Sequence, residues 1–386
     1  MDIREKSGWT LVGVIWLSLV AALIANLQPL FLGALADAYS LGGRQLGFIS
    51  GMELGGSCLA SLTAAYWFPR FRLQRVAFFA LSVGLLGNFF TSWVTDYPQL
   101  LVVRFITGFL GSGILYALSL GVVGKLANPD RVIAIIITCQ VLSLAVGMFS
   151  VPLLMERWHL AGVTTSLALL FATGFFFIHT LPERVQPVES LQSSETDVNY
   201  LPAALLASLI LFSVGLGGVW AFMERIGSSA GFALTDIGTA LAVSGLIGGL
   251  GGLSAAVLGT RMGRLIPISL AISLEIVACL LLATRSAWTS YILAIALFNF
   301  CWNLTLPYLM GAIAATDRSG RFMVLIPAAQ TGGYALGPML VAIAMIGEDF
   351  RIAAWISMAV FFLCLVMVQP LLRKVPRPVA FGIEQT

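Results

Sequence analysis

The feature that most limits this chain is a succession of apolar runs, each long enough to cross a lipid bilayer. A spanning helix needs about 20 predominantly apolar residues. Twelve such runs can be read, near Thr10–Leu32, Leu46–Phe68, Val76–Val94, Leu100–Val123, Val132–Leu154, Leu160–Thr180, Leu201–Phe222, Ile237–Leu258, Ile266–Ala283, Tyr291–Ala315, Met323–Ile346 and Ala353–Leu372. Short turns holding Gly, Pro or charge separate them. Only 10% of the 386 residues are charged and 59% are hydrophobic, against about 25% charged in a soluble chain. Lipid is therefore the solvent for most of the chain, and the bilayer its constant partner. In lipid, helices satisfy their own backbone groups. A membrane β-barrel is excluded, because the runs lack a period of two. The first run is too long for the core of a cleaved signal, about 7–15 residues. The expected fold is an all-α integral membrane protein of twelve helices in two pseudo-symmetric six-helix bundles.

Basic residues set the expected orientation, since cytoplasmic loops carry the excess of Lys and Arg. With the N-terminus in the cytoplasm, fifteen of the 21 lie inside: Arg4, Lys6, Arg70, Arg72, Arg75, Lys125, Arg131, Arg184, Arg261, Arg264, Arg318, Arg321, Arg373, Lys374 and Arg377. Five lie outside (Arg44, Arg157, Arg225, Arg285 and Arg351), and Arg104 alone is inside the membrane. Both termini are then cytoplasmic, in a multi-pass protein of the cell's inner (plasma) membrane. The net charge of +3 and the lack of a basic domain point away from nucleic acid. The five cysteines fall in separate apolar runs, with no CxxC and no Cys/His cluster, so no metal site is expected.

The polar stretch 181–200 separates six runs from six and reads as a cytoplasmic linker between bundles 1–180 and 201–386. The bundles also match in sequence. "RQLG" (Arg44–Gly47) meets "TDIG" (Thr235–Gly238) 191 positions on, and Arg70 meets Arg261 at the same offset. Gly147 and Pro152 meet Gly333 and Pro338 at 186, and Asp130–Arg131 meets Asp317–Arg318 at 187. Constant order and spacing imply an internal duplication.

Three local patterns carry a family resemblance over nearly the whole chain. "RFITGFLGSG" begins at Arg104 in the fourth run. "LGTRMGR" (Leu258–Arg264) follows the eighth run, and its first-half counterpart is "FPRFRLQR". "GYALGP" (Gly333–Pro338) lies in the eleventh, and its fifth-run copy is "GMFSVP". Together they resemble the major facilitator superfamily of the bacterial twelve-helix type, with no subfamily singled out. The departures are specific. Pro69 and Arg72 stand where the family's loop has Asp and Gly, which implies a different cytoplasmic latch, and Val151 replaces a motif Gly.

The resemblance implies roles. The fourth-run Arg of the family is associated with proton coupling, so Arg104, Glu53 and Glu224 become proton-coupling candidates. Arg104 either snorkels to the headgroups or faces a cavity, and if buried it needs a partner. Glu53 stands at a similar depth on a neighbouring helix. Glu224, beside Arg225, is either an interfacial ion pair or a gating acid at the outer mouth. Glu275 sits on a helix peripheral in the family and is expected to bond within the second half or to serve self-association. Helices expected to line the cavity supply Asn26, Gln28, Tyr116, Gln140, Trp220, Asn299, Trp302, Asn303, Gln330 and Tyr334. The latch and packing candidates are Arg70, Arg72, Arg261, Gly263, Arg264, Gly147, Pro152, Gly333, Gly337 and Pro338. Gly245, Gly248, Gly249 and Gly252 suit close contact between the eighth and fifth helices.

These readings converge on a monomeric secondary transporter using alternating access, with no cofactor and a proton gradient as its energy source. The cargo expected is a small neutral or anionic organic solute, with an aromatic one favoured, and the direction leans to export. The alternatives are a proton-driven uptake permease for an organic acid, or a non-transporting sensor. An enzyme is not expected. Nucleotide-binding and hydrolase motifs are absent, and His159 and His179 are the only histidines.

Overall fold

The computed structural model describes residues 3–124, 126, 129–184, 200–284, 287–317 and 320–375. The linker at 185–199, Lys125, Arg285, Arg318 and Arg377 lie outside the described residues. Every regular element described is helical. Ten stretches qualify by length and hydropathy as membrane spans. Two facts reconcile ten with the twelve expected. The Gly- and Ser-rich helix Gly43–Trp67 is absent from that set but runs the full depth. The stretch 131–180 is two spans, divided where His159 leaves helical geometry (φ 53°, ψ −150°).

Several spans are composite. The first is α1 (Ile3–Asn26) and α2 (Gln28–Tyr39), broken at Leu27 just before Pro29, whose ring cannot sit inside an unbroken helix. The second is α3 (Gly43–Trp67) and the third α4 (Leu73–Thr91). The fourth is α5 (Tyr97–Ile106), a π-helical stretch (Thr107–Gly113) and α6 (Ile114–Val123). The fifth and sixth share α7 (Pro129–Gly174) and a closing 3-10 turn (Phe175–Thr180). The seventh is α8 (Tyr200–Trp220) with α9 (Met223–Ser229). The last five are α10 (Leu234–Leu258), α11 (Leu265–Thr284), α12 (Trp288–Thr316), α13 (Arg321–Ala344) and α14 (Ile352–Leu372).

The outer surface carries many exposed large apolar side chains, such as Phe78, Phe149, Leu169 and Leu270. Such a surface suits lipid and would be a liability in water. Exposed Trp93, Trp158 and Trp355 sit at span ends on one face, and Trp9, Tyr66 and Tyr200 at the other. This is the placement of interfacial aromatic belts.

The second, fifth and first spans meet the eleventh, eighth and seventh across the halves. Contacts start at the face away from the chain ends, where Gly43 lies against Met345 and Phe350. They continue through Gly47 with Pro338 and Gly238 with Pro152. Toward the terminal face they reach Cys58, which donates to the Ala328 carbonyl at 3.3 Å, and Gly249 beside Val141. The apolar core follows suit. One cluster joins both halves at the far face, while a second, built on Leu17, Leu81, Leu118 and Val123, belongs to the first half alone.

Candidate functional site

Arg104 is completely buried, and Glu53 is 3% exposed. The two form a bidentate ion pair. Nε donates to Glu53 Oε2 at 3.2 Å, and Nη2 donates to Oε1. Nη1 donates to Asn88 Oδ1 at 3.1 Å and to Thr91 Oγ1 at 2.9 Å. The Phe31 ring closes the site, with its centroid 4.8 Å from Cζ. Spans one to four thus converge on one guanidinium. The expected partnership with Glu53 is present. Full burial replaces both the snorkelling Arg and the open cavity wall, because four helices enclose the group.

The π-helical stretch directly after Arg104 makes that enclosure possible. Such wider turns occur mostly as single-turn bulges inside α-helices, frequently at functional sites. Gly108 lies against the Glu53 carbonyl, leaving no room for a side chain, and Gly111 packs tightly against Gly84. Ser57 Oγ donates to the Gly108 carbonyl at 3.1 Å, tying the second span to the fourth.

Glu224 is 0% exposed. Arg225 clasps it, Nε to Oε2 at 2.5 Å and Nη2 to Oε1 at 2.8 Å, and Ser228 Oγ donates to Oε1 at 2.6 Å. Arg225 Nη1 also donates to Asp37 Oδ1 at 2.9 Å, which crosses to the first half. The acid is therefore neither an isolated interfacial pair nor open to the far face. It belongs to a four-residue cluster with Arg225, Ser228 and Asp37 that ties the two halves together near that face.

Of the ten cavity candidates, Asn26, Tyr116, Gln140, Trp302, Asn303, Gln330 and Tyr334 are half-buried, while Gln28, Trp220 and Asn299 are buried. An aromatic wall links several of them. Trp302 stands edge-on to Trp220 at 5.6 Å and to Tyr334 at 5.7 Å. Tyr116 is within hydrogen-bonding reach of Gln140 and near enough to Tyr334 to act on it electrostatically. Gln140 Nε2 donates to Ser18 Oγ at 3.3 Å, and Trp220 Nε1 to the Ala25 carbonyl at 3.2 Å. Two candidates bond instead within the helix packing. Gln28 donates to Ser50 Oγ at 2.7 Å and Asn299 to Ser244 Oγ at 3.1 Å. Asn303 donates to the Asn299 carbonyl at 2.9 Å.

The packing candidates sit at close helix contacts. Gly147 meets Leu27, Pro152 meets Gly238, Gly333 meets Ser213, and Gly337 meets Val214 and Gly218. Gly245 and Gly249 meet the fifth span, whereas Gly248 meets Asn299 and Asn303 and Gly252 meets nothing. On the terminal face, Arg70 turns back onto its own helix, over the Tyr66 ring at 4.0 Å. Arg72 and Arg261 are exposed, Gly263 adopts φ +69°, and Arg264 approaches Gly311. Glu275 departs from expectation. It is 0% exposed, so it is not a surface for self-association, and neither oxygen has a hydrogen-bond partner among the described residues.

Asn88, Thr91, Phe31 and Asp37 complete these sites but were not anticipated. Asn88 and Thr91 did leave a signal, a polar pair three apart in a run whose other polar residues are only Ser82 and Ser92.

The sequence model of the Major Facilitator Superfamily matches residues 14–316. The chain belongs to that family, a family of transporters. No curated protein matches the chain. Among solved structures, a variant of the nucleoside transporter NupG superposes with a TM-score of 0.76 at 13% identity, covering 94% of this chain and 99% of that one. The inward-open xylose transporter XylE from E. coli gives 0.73 at 13% identity, covering 98% of each chain. A bacterial homologue of the human lysosomal transporter Spinster, inward-facing and unoccupied, gives 0.73 at 11% identity, covering 97% and 98%. At such identities the likeness establishes the fold alone.

Proposed function

We propose that this chain exports a small neutral or anionic organic solute, with aromatic solutes favoured, by alternating access coupled to protons. The observation that carries the reading is the half-buried wall of Tyr116, Gln140, Trp302 and Tyr334, in a molecule whose two halves share an apolar core only toward the far face of the first half. A few polar groups among aromatic walls suit an organic solute. The Lys and Arg distribution supports a cytoplasmic terminal face, so the arrangement reads as inward-facing. Rocking the halves would open the Arg225–Asp37 tie and close the terminal side. Glu53 is the proton acceptor in this reading. A proton there cancels its charge and frees Arg104 from its tie to the second span. The protein works as a monomer, without cofactor, in the inner (plasma) membrane.

Proteoliposomes with an imposed pH gradient test this. Solute flux should follow the gradient in the native chain. Glu53→Gln should lose gradient-driven flux yet retain counterflow. No gradient-dependent flux across a broad panel of organic anions and neutral aromatics would sink the proposal and favour a non-transporting sensor. A second reading, proton-driven uptake of an organic acid, draws support from Val151 in the fifth-span motif and from the likeness in fold to a D-xylose-proton symporter. Flux in the same direction as protons would select it.

A further inference from the structure

Glu275 lies mid-way along the ninth span, fully buried, with both oxygens lacking a donor among the described residues. Its helix packs against the tenth and twelfth spans. None of these three helices contains a Lys, Arg or His. Their titratable groups are Cys279 on its own helix, Tyr291, Cys301 and Tyr308 on the tenth span, and Cys364 on the twelfth. Cys279 and Cys301 stand close enough to interact with Glu275 electrostatically. The cations nearest along the chain are Arg264 and Arg285, eleven and ten positions away, the latter outside the described residues. At 1.5 Å per residue, Arg264 lies about 16 Å from Glu275 along the chain.

An ionised carboxylate in such surroundings is strongly disfavoured unless a cation or hydrogen bonds compensate it. Glu53 has both, and Glu275 has neither. We propose that Glu275 is a proton-binding site of the second half, a carboxylic acid held between thiols and apolar side chains and separate from the Arg104–Glu53 pair. The proton comes from solvent, bonds to one carboxylate oxygen and leaves by the same route. No other bond changes. The site therefore takes a proton as its ligand, and the second half gains a charge whenever the proton departs.

Infrared spectroscopy of the whole protein in liposomes at neutral pH tests this without any transport assay. The native chain should show the carbonyl stretch of a protonated carboxyl, shifted in D2O. Glu275→Gln should abolish that band, Glu275→Asp should retain it at an altered frequency, and Glu53→Gln should leave it in place. The Asp variant guards against loss through misfolding. A native spectrum without the band, or a band that survives in Glu275→Gln, overturns the proposal. So does a band that fails to shift in D2O, since that proton would not exchange with solvent.

Discussion

The two halves carry polar stations at corresponding places, filled with different chemistry. In the first half the second and fourth spans are joined by Glu53 and Arg104. In the second half the eighth and tenth spans are joined by Ser244 and Asn299, 191 and 195 positions further on, through one hydrogen bond of 3.1 Å. The third span supplies Asn88, which accepts from Arg104. Glu275, 187 positions after Asn88, receives no bond among the described residues. A buried cation imposes conditions on everything around it. It needs an acid, then neutral oxygens for its remaining protons, then close backbones to exclude water. The neutral Ser–Asn pair imposes none of these, so the acid of the second half is left to itself.

The largest expected effect breaks the charged station. Arg104→Ala leaves Glu53 buried without its cation, which costs about 3–5 kcal/mol. The purified variant should show a sharply lower thermal midpoint and yield. Glu53→Gln combined with Arg104→Met should lose less than Arg104→Ala alone, because no charge is stranded. If Arg104→Ala costs under about 1 kcal/mol, the range of a neutral hydrogen bond, the two stations are energetically alike and the contrast fails.

The neutral station should respond more weakly. Ser244→Ala removes an acceptor from Asn299, whose amide still donates to the Ile295 carbonyl at 3.1 Å. The loss expected is about 0.5–1.5 kcal/mol, read by the same thermal midpoint. A cost equal to that of Arg104→Ala would mean that packing, not charge, governs both stations.

Much of this was legible in the sequence, for identifiable reasons. Spanning helices announce themselves by length and composition, which is how the twelve runs and the division of the halves could be read. The Glu53–Arg104 pairing was legible because a buried charge must be answered at similar depth. The π-helical stretch was not. Its three glycines mark close approach, but the shift of hydrogen-bond register belongs to the backbone. The ends of the first and seventh spans were also missed. Tyr39 and Ser229 lie beyond the apolar runs, and those extra turns are held by the Arg225–Asp37 tie, a contact between residues 188 apart. Glu275 was misjudged because helical position alone does not say what faces a side chain.

That tie supports the smallest and most localised prediction, which sets the far face against the terminal face. Asp37 is 55% exposed at its side chain and Arg225 is 14% exposed. An ion pair with an exposed partner contributes about 0.2–1 kcal/mol. Asp37→Asn should therefore leave the thermal midpoint nearly unchanged. It should still move the balance between closed and open far faces by up to about five-fold. Spin labels on the far-face ends of the first and seventh spans would read the shift as a longer-distance population. Because surface pairs are screened by salt, raising ionic strength should move the native chain toward the variant and leave the variant unaffected. Labels across the terminal face should shift the opposite way, to shorter distances, if the halves rock as rigid bodies. If the far face opens while the terminal-face distances stay fixed, the two faces are not mechanically coupled, and the Arg225–Asp37 tie is a local brace with no part in a rocking motion.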